Sequence, residues 1–367
     1  MLAMDSLAEP NLKICLVSIS LAKGGAERST AILTKMLHDA GFEVHVVLLN
    51  DVIDYEFKGK LFNLGLDKKG SDNPWKRLRR TQKLRKYLIK ENFDYIIDTR
   101  ARRSVVIEWL YLNYVYLNLK FIYLVHSWKL ENYLTKSNWM AKSMIKKSHK
   151  MIGVSKAITK RINSEFKTQK ALTIYNSVES FKKQQNGIEI QKPYILFLGR
   201  IDEKVKNLSL LIAAYNQSQL SDNGVRLYIV GDGDDKDLVQ QKINSYTLQD
   251  QIKILPFTAN IYYMLKDSLF LVLTSRYEGF PMVLIEALSV GTPTISVNCK
   301  SGPSEIIDHE KNGLLVENHN PKALAQAFDR FLLDPNIYNT CKSNSKQSVA
   351  HLNQKIIGAQ WSNILKS

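Results

Sequence analysis

The chain is poor in the residues that build cross-linked or metal-linked scaffolds. Its 367 residues include only three cysteines, Cys15, Cys299 and Cys341, widely spaced and without paired-ligand spacing. A disulfide framework and a cysteine zinc site are excluded, and the pattern fits a reducing cytosol. Long apolar runs are missing too. The most apolar stretch, Val105–Val125, is broken by Glu108, Asn113, Asn118 and Lys120, so it falls short of the roughly 20 apolar residues of a membrane span. It reads as a buried helix followed by a strand. Met1–Pro10 carries Asp5 and Glu9 and lacks the basic-then-apolar layout of a secretion signal.

Negative charge is the scarcer sign. Lys and Arg number 51 against 35 Asp and Glu, a net of +16, which predicts attraction to an anionic partner: nucleic acid, an acidic membrane surface or a phosphorylated small molecule. The excess is one-sided. Through position 190 there are 33 basic and 18 acidic residues, a net of +15, leaving 18 against 17, a net of +1, for the remainder. The densest stretches are Lys76 to Lys90, Arg100 to Arg103 and Lys142 to Lys150. Two halves with such different surfaces are expected to meet different partners.

Hydrophobic content of 45% and charged content of 23% are those of an ordinary globular protein, and the length suggests two domains. Short β-branched runs alternate with amphipathic stretches. In the first half, strands are predicted at Leu12–Ser20, Glu43–Leu49, Tyr95–Asp98, Phe121–Val125, Met151–Val154 and Leu172–Ile174, with helices at Ala26–Ala40, Pro74–Lys90 and Ser104–Leu117. Ser177–Lys192 carries no apolar periodicity and reads as a linker. The alternation then restarts from Tyr194–Leu198 and runs to a helix at Pro321–Leu333. The fold class is therefore α/β, with two tandem doubly wound domains, 1–185 and 186–367, facing a central cleft. The last helix, about 353–367, is expected to pack back on the first domain.

Three segments carry chemistry. The first predicted strand runs into Ala22-Lys23-Gly24-Gly25-Ala26-Glu27-Arg28 at a helix start, where bare backbone N–H groups suit a phosphate or an anionic sugar. A plain tight turn fits that segment equally well, and the absence of Gly-x-Gly-x-x-Gly disfavours a dinucleotide dehydrogenase. In the second segment, Gly199-Arg200 to Lys206 brackets a strand-to-helix loop, so two cations can grip a diphosphate and neutralise a leaving phosphate. The third is Thr274–Leu288. There Gly279 frees the backbone, Pro281 suits the start of a helix, and Glu286 lies in that helix among Ile285, Ala287 and Leu288. A carboxylate in so apolar a stretch needs a partner, and the paired hydroxyls of a ribose or hexose would serve, as would an ion pair.

Glu278 and Glu286 form a Glu-x7-Glu pattern. Together with Gly24–Arg28, Gly199-Arg200 with Lys206, Val230-Gly231-Asp232-Gly233, Gly291-Thr292-Pro293 and Asn312–Val316, in that order along nearly the whole chain, it closely resembles glycosyltransferase family 4. The resemblance implies the two-domain GT-B fold and a retaining transferase that moves a hexose or N-acetylhexosamine from a nucleoside-diphosphate sugar, at family level a UDP-sugar. By position it implies that Arg200 and Lys206 bind the donor diphosphate and that Glu286 holds the ribose hydroxyls. Glu278 would meet the transferred sugar, with Gly279 and Phe280 presenting N–H groups and Pro281 behind them. Gly24 and Gly25 would approach the diphosphate from the facing domain, and Gly199, Gly231, Gly233, Pro256 and Phe257 would line the nucleotide side. His126, in Leu124-Val125-His126-Ser127-Trp128, matches the family's histidine near the reacting centre, although Ser127 stands where the family usually has Asp.

The resemblance implies no metal and no cofactor beyond the donor. Local forms such as Glu-Gly-Phe-Pro-Met and Ser301-Gly302-Pro303-Ser304-Glu305 resemble a subgroup acting in capsule, lipopolysaccharide or other surface-polysaccharide assembly. The implied acceptor is a growing surface glycan or a lipid-linked sugar. The implied location is cytoplasmic, peripheral on the inner face of the plasma membrane, with the basic first half on an anionic leaflet. An epimerase or phosphorylase of the same fold is the alternative enzyme. A nucleic-acid-binding protein is the distant alternative, and no recognition helix or aromatic-rich sheet signature supports it.

Overall fold

The protein was analysed as a computed structural model that describes residues 12–68, 74–179 and 190–367. The expected domain boundary at 185/186, most of the expected linker and the Met1–Pro10 segment lie outside the described residues. Two all-parallel sheets organise the chain. The first has β1 (Lys13–Ser18), β2 (Glu43–Leu48), β3 (Lys60–Asn63), β4 (Tyr95–Asp98), β5 (Phe121–Val125), β6 (Lys150–Gly153) and β7 (Ala171–Thr173), in the order β3-β2-β1-β4-β5-β6-β7. The second has β8 (Tyr194–Leu198), β9 (Arg226–Val230), β10 (Ile252–Leu255), β11 (Leu271–Leu273), β12 (Thr294–Val297) and β13 (Gly313–Val316), in the order β10-β9-β8-β11-β12-β13. Each order reverses beside the sheet's first strand, which opens a crevice at the carboxyl ends of β1 and β8.

Burial explains the pattern. Helices cover both faces of each sheet, so central strands such as Ile14–Val17, Phe121–Val125 and Ile195–Phe197 read as continuous apolar runs rather than alternating ones. The first sheet's core continues without a break through Phe280, Met282, Leu284 and Ile285 of the second half. It also takes in Leu352, Ile357, Trp361 and Leu365, and the last helix (Gln354–Lys366) lies against the first (Gly25–Asp39), with Gly358 facing Met36.

The structure differs from expectation at Ser104–Leu117. It is not one buried helix: a short helix, Val105–Leu110, widens into a single π turn at Tyr111–Val115, and its first turn is exposed. The wide turn serves a buried ion cluster. Tyr111 lies 3.7 Å over the Arg100 guanidinium, and the Tyr116 hydroxyl donates to Asp98 at 3.0 Å. Arg100 donates to both Asp98 oxygens, and Arg102 donates to Asp98 Oδ1 and to the carbonyls of Asp98, Leu124 and Tyr133. Burial alone would raise the Asp98 carboxyl, but Arg100 and Arg102 more than offset it and hold it below its ordinary range. The expected basic surface cluster Arg100 to Arg103 is therefore corrected: Arg100 and Arg102 are buried and paired, and Arg103 is exposed.

Candidate functional site

The wall of the cleft in the second domain is built by close backbone packing at strand ends. A Cβ on Gly231 would lie 1.9 Å from the Gly199 carbonyl oxygen, and one on Gly233 would lie 2.0 Å from that of Ile201. Only glycine permits these approaches, which stack the loops after β8 and β9. Asp232 between them accepts from the Phe257 N–H at 3.3 Å, so Pro256 and Phe257 extend the same wall. Lys206 ends the single helical turn Glu203–Lys206, which Asp202 caps through the Val205 N–H. Its ammonium donates to Glu278 Oε1 at 2.7 Å, and Ser275 Oγ donates to the same oxygen at 2.6 Å. Lys206 and Glu278 are thus brought together, most of each side chain being shielded.

The facing wall comes from the first domain. Gly24 caps the first helix and Gly25 opens it, with Gly25 near Met282 at the head of the opposing helix, Met282–Val290. Pro281 stands at that helix's cap, one residue before its first turn. The Glu27 carboxylate curls back beneath Gly24: a Cβ there would lie 2.0 Å from Glu27 Oε2. Burial raises the Glu27 carboxyl, while its own backbone N–H and Arg200, exposed on the other wall, act against that. His126 follows β5. Both its ring nitrogens are buried with no partner among the described residues, and burial, reinforced by Arg102, pushes its pKa down to about 3. Ser127, at the position of the family's usual Asp, instead accepts from the Lys129 N–H.

The two walls touch at the cleft floor. A Cβ on Gly279 would lie 2.0 Å from the His126 carbonyl oxygen, and the Trp128 N–H donates to the Glu278 carbonyl at 2.9 Å. Asn176 donates to the Phe280 carbonyl at 3.3 Å. Glu286 is buried, and the partner it needs is Arg28 of the first domain, whose Nε stands 3.1 Å from Glu286 Oε1. Burial raises the Glu286 carboxyl, Arg28 pulls it back down, and Glu179 pushes it up.

Two residues with a part here were given no role by the sequence. Arg28 stands in the glycine-rich segment itself, four residues from Gly24, and the lone carboxylate of Glu286 was the signal that a cation was needed. Glu305 stood only at the end of the Ser301–Glu305 segment that resembles the surface-polysaccharide subgroup, with nothing in the sequence to show its partner. It accepts from the N–H groups of Lys156 and Ala157, at 2.8 and 3.0 Å, capping a first-domain helix, Lys156–Phe166, that is 149 residues distant in sequence.

Two family models divide the chain. That of Glycosyltransferase Family 4 matches residues 23–180, and that of Glycosyl transferases group 1 matches residues 178–348. The chain is a family 4 glycosyltransferase. Similar to this transferase is the N-acetylgalactosamine-N,N'-diacetylbacillosaminyl-diphospho-undecaprenol 4-alpha-N-acetylgalactosaminyltransferase of Campylobacter jejuni, 27% identical over 91% of this chain and 94% of the relative. A Staphylococcus aureus poly(ribitol-phosphate) alpha-N-acetylglucosaminyltransferase is 30% identical over 50% of this chain and 37% of its own. Among solved structures, a sucrose-phosphate synthase from Thermosynechococcus elongatus matches with a TM-score of 0.80 at 20% identity, covering 97% of this chain and 98% of that one. Anabaena HepE in complex with UDP-glucose matches with a TM-score of 0.78 at 18% identity, covering 97% and 100%. The fold shared with these is GT-B.

Proposed function

We propose that this transferase moves a hexose or N-acetylhexosamine from a nucleoside-diphosphate sugar, a UDP-sugar, to a hydroxyl of a lipid-linked or growing surface glycan, with retention at the anomeric carbon. The observation that carries the reading is the meeting of Lys206 and Glu278 on one wall with His126 on the other, across the Gly279 contact. A cation for a leaving phosphate and a carboxylate for sugar hydroxyls stand together on the wall whose Gly279 packs against the backbone of His126, which carries an uncharged imidazole. Support for the donor and acceptor classes comes from HepE, solved with UDP-glucose, and from the Campylobacter jejuni relative, named for a diphospho-undecaprenol acceptor.

On this reading the diphosphate lies between the Gly24-Gly25 helix start and Arg200 with Lys206. Lys206 shifts from Glu278 to the phosphate, which frees Glu278 for hydroxyls of the sugar. Glu286, kept anionic by Arg28, receives the ribose hydroxyls, and Pro256 and Phe257 flank the base. The acceptor oxygen forms a bond to the anomeric carbon as the bond from that carbon to the phosphate oxygen breaks. The acceptor proton passes to the departing phosphate on the same face, so the configuration is kept. The two cations take up the developing negative charge, and we assign no metal to that step. His126 stays neutral and can only exchange hydrogen bonds with the sugar. We place the enzyme in the cytoplasm, peripheral on the inner face of the plasma membrane.

Labelled sugar nucleotides incubated without acceptor test the reaction class. A transferase yields slow hydrolysis and free nucleoside diphosphate. A new sugar nucleotide would show an epimerase, and phosphate-dependent release of a sugar phosphate would show a phosphorylase.

A further inference from the structure

The exposed turn of the helix Val105–Leu110 is unusual because nearly all its side chains are apolar. Val106 is 77% exposed and Trp109 50%, with Val105 and Ile107 beside them. Trp75, at the head of the basic helix Pro74–Glu91, is 79% exposed, and Trp139, at the head of the helix Asn138–Lys147, is 65% exposed. Three of the five tryptophans therefore face water.

These residues share one rim. The three helices are successive crossovers of an all-parallel sheet, so they run in the same direction. Arg85 donates to the Val115 carbonyl at 2.9 Å; Trp75 precedes Arg85 by ten residues, as Val105 precedes Val115. Lys147 donates to Asn113 Oδ1 at 2.6 Å; Trp139 precedes Lys147 by eight residues, as Val105 precedes Asn113. Equal steps along parallel helices bring Trp75, Val105 and Trp139 level to within about one turn. That level is the carboxyl edge of the sheet, where β5 delivers His126 to the cleft.

We propose that this rim is a membrane-docking face. Trp75, Val106, Trp109 and Trp139 enter the boundary between head groups and acyl chains of an anionic bilayer. The exposed cations Arg79, Arg103, Lys136 and Lys142 on the same elements meet the lipid phosphates. Tryptophan with Lys and Arg is the composition that a bilayer interface selects, and the surplus of +15 in this half supplies the complementary charge. The biological sense of the face rests on the lipid-linked acceptor proposed above: docking here sets the cleft mouth at the depth of a lipid head group.

The test is flotation of the full chain with phosphatidylglycerol-containing vesicles and with phosphatidylcholine vesicles, with tryptophan quenching by brominated lipid. The wild type is expected to float with the anionic vesicles and to be quenched. A Trp75→Ser/Val106→Ser/Trp109→Ser/Trp139→Ser variant is expected to lose at least about tenfold in partitioning, with its melting temperature and its stabilisation by UDP-sugars unchanged. Arg103→Glu/Lys142→Glu is expected to weaken binding mainly at low salt. Unquenched wild-type protein on vesicles, or a tryptophan variant that floats as well as wild type, would overturn the proposal. So would a wild-type dimer that the tryptophan variant turns into a monomer, since the rim would then belong to a second copy. Wild type that docks but gains no stability from any sugar nucleotide would sink the donor assignment and leave the docking face standing.

Discussion

Replacing Arg28 by Met would leave Glu286 as a buried carboxylate without its cation. The pair stands 3.1 Å apart with Glu286 3% and Arg28 15% exposed. At that distance the gross attraction is about 5 kcal/mol for an effective dielectric of about 20, and stranding one member of a buried pair costs about 3 to 5 kcal/mol. Protonation limits the loss. The Glu286 carboxyl is already raised by burial, and the variant loses the Arg28 charge that pulls it down while keeping Glu179, which pushes it up. A carboxyl whose folded pKa is raised favours the protonated form in the fold. Its penalty is therefore absent below the unfolded value and grows as pH rises toward the folded one, at about 1.4 kcal/mol per pH unit. The deficit should be below about 1 kcal/mol near pH 5 and about 3 kcal/mol near pH 7. Thermal melts of wild type and variant at the two pH values measure it, and Arg28→Met/Glu286→Gln should recover most of the loss. An equal deficit at both pH values, or a double variant no better than the single, would refute the reasoning.

Lys206→Ala is expected to lower turnover by about 100- to 1000-fold with every sugar nucleotide the wild type uses, because it removes a cation facing the leaving phosphate; unchanged turnover would contradict the role. His126, with its pKa pushed down to about 3, should show no imidazole titration by NMR between about pH 5 and 8, and the pH–rate profile should carry no limb from it. Gly279→Ala sets a methyl 2.0 Å from the His126 carbonyl, so weaker donor binding and a larger radius of gyration by solution scattering are expected as the walls are forced apart. Arg102→Met leaves the Asp98 cluster short of a cation and three carbonyls short of a donor. A loss of about 3 kcal/mol or more in stability is expected, and Arg102→Lys should not restore it, since an ammonium cannot span that fork.

Most of the strand positions and the two-sheet architecture were legible because buried parallel strands read as short unbroken apolar runs, such as Phe121–Val125 and Tyr194–Leu198. β3, Lys60–Asn63, was missed because an exposed edge strand needs no such run. β13, Gly313–Val316, was quoted as motif sequence and not as a strand, since four residues opening on Gly carry little periodicity. The family's ordered motifs located Lys206, Glu278 and Glu286, but their present partners were not legible. Lys206 with Glu278, within one wall, and Arg28 with Glu286, across the two walls, are contacts between residues far apart in sequence that only the folded chain creates. Arg100 and Arg102 looked like surface charge because local sequence does not show that Asp98, Glu108 and Tyr116 enclose them.

The central claim is that the second domain holds a nucleoside-diphosphate sugar through Arg200, Lys206 and Glu286. Thermal-shift titration of the full chain with a panel of sugar nucleotides tests it most directly, with Glu286→Gln run beside the wild type. A UDP-sugar at about 100 times its dissociation constant should stabilise the wild type by about 2.7 kcal/mol and the variant much less. No shift with any sugar nucleotide or nucleoside diphosphate, or an equal shift in both proteins, would contradict it.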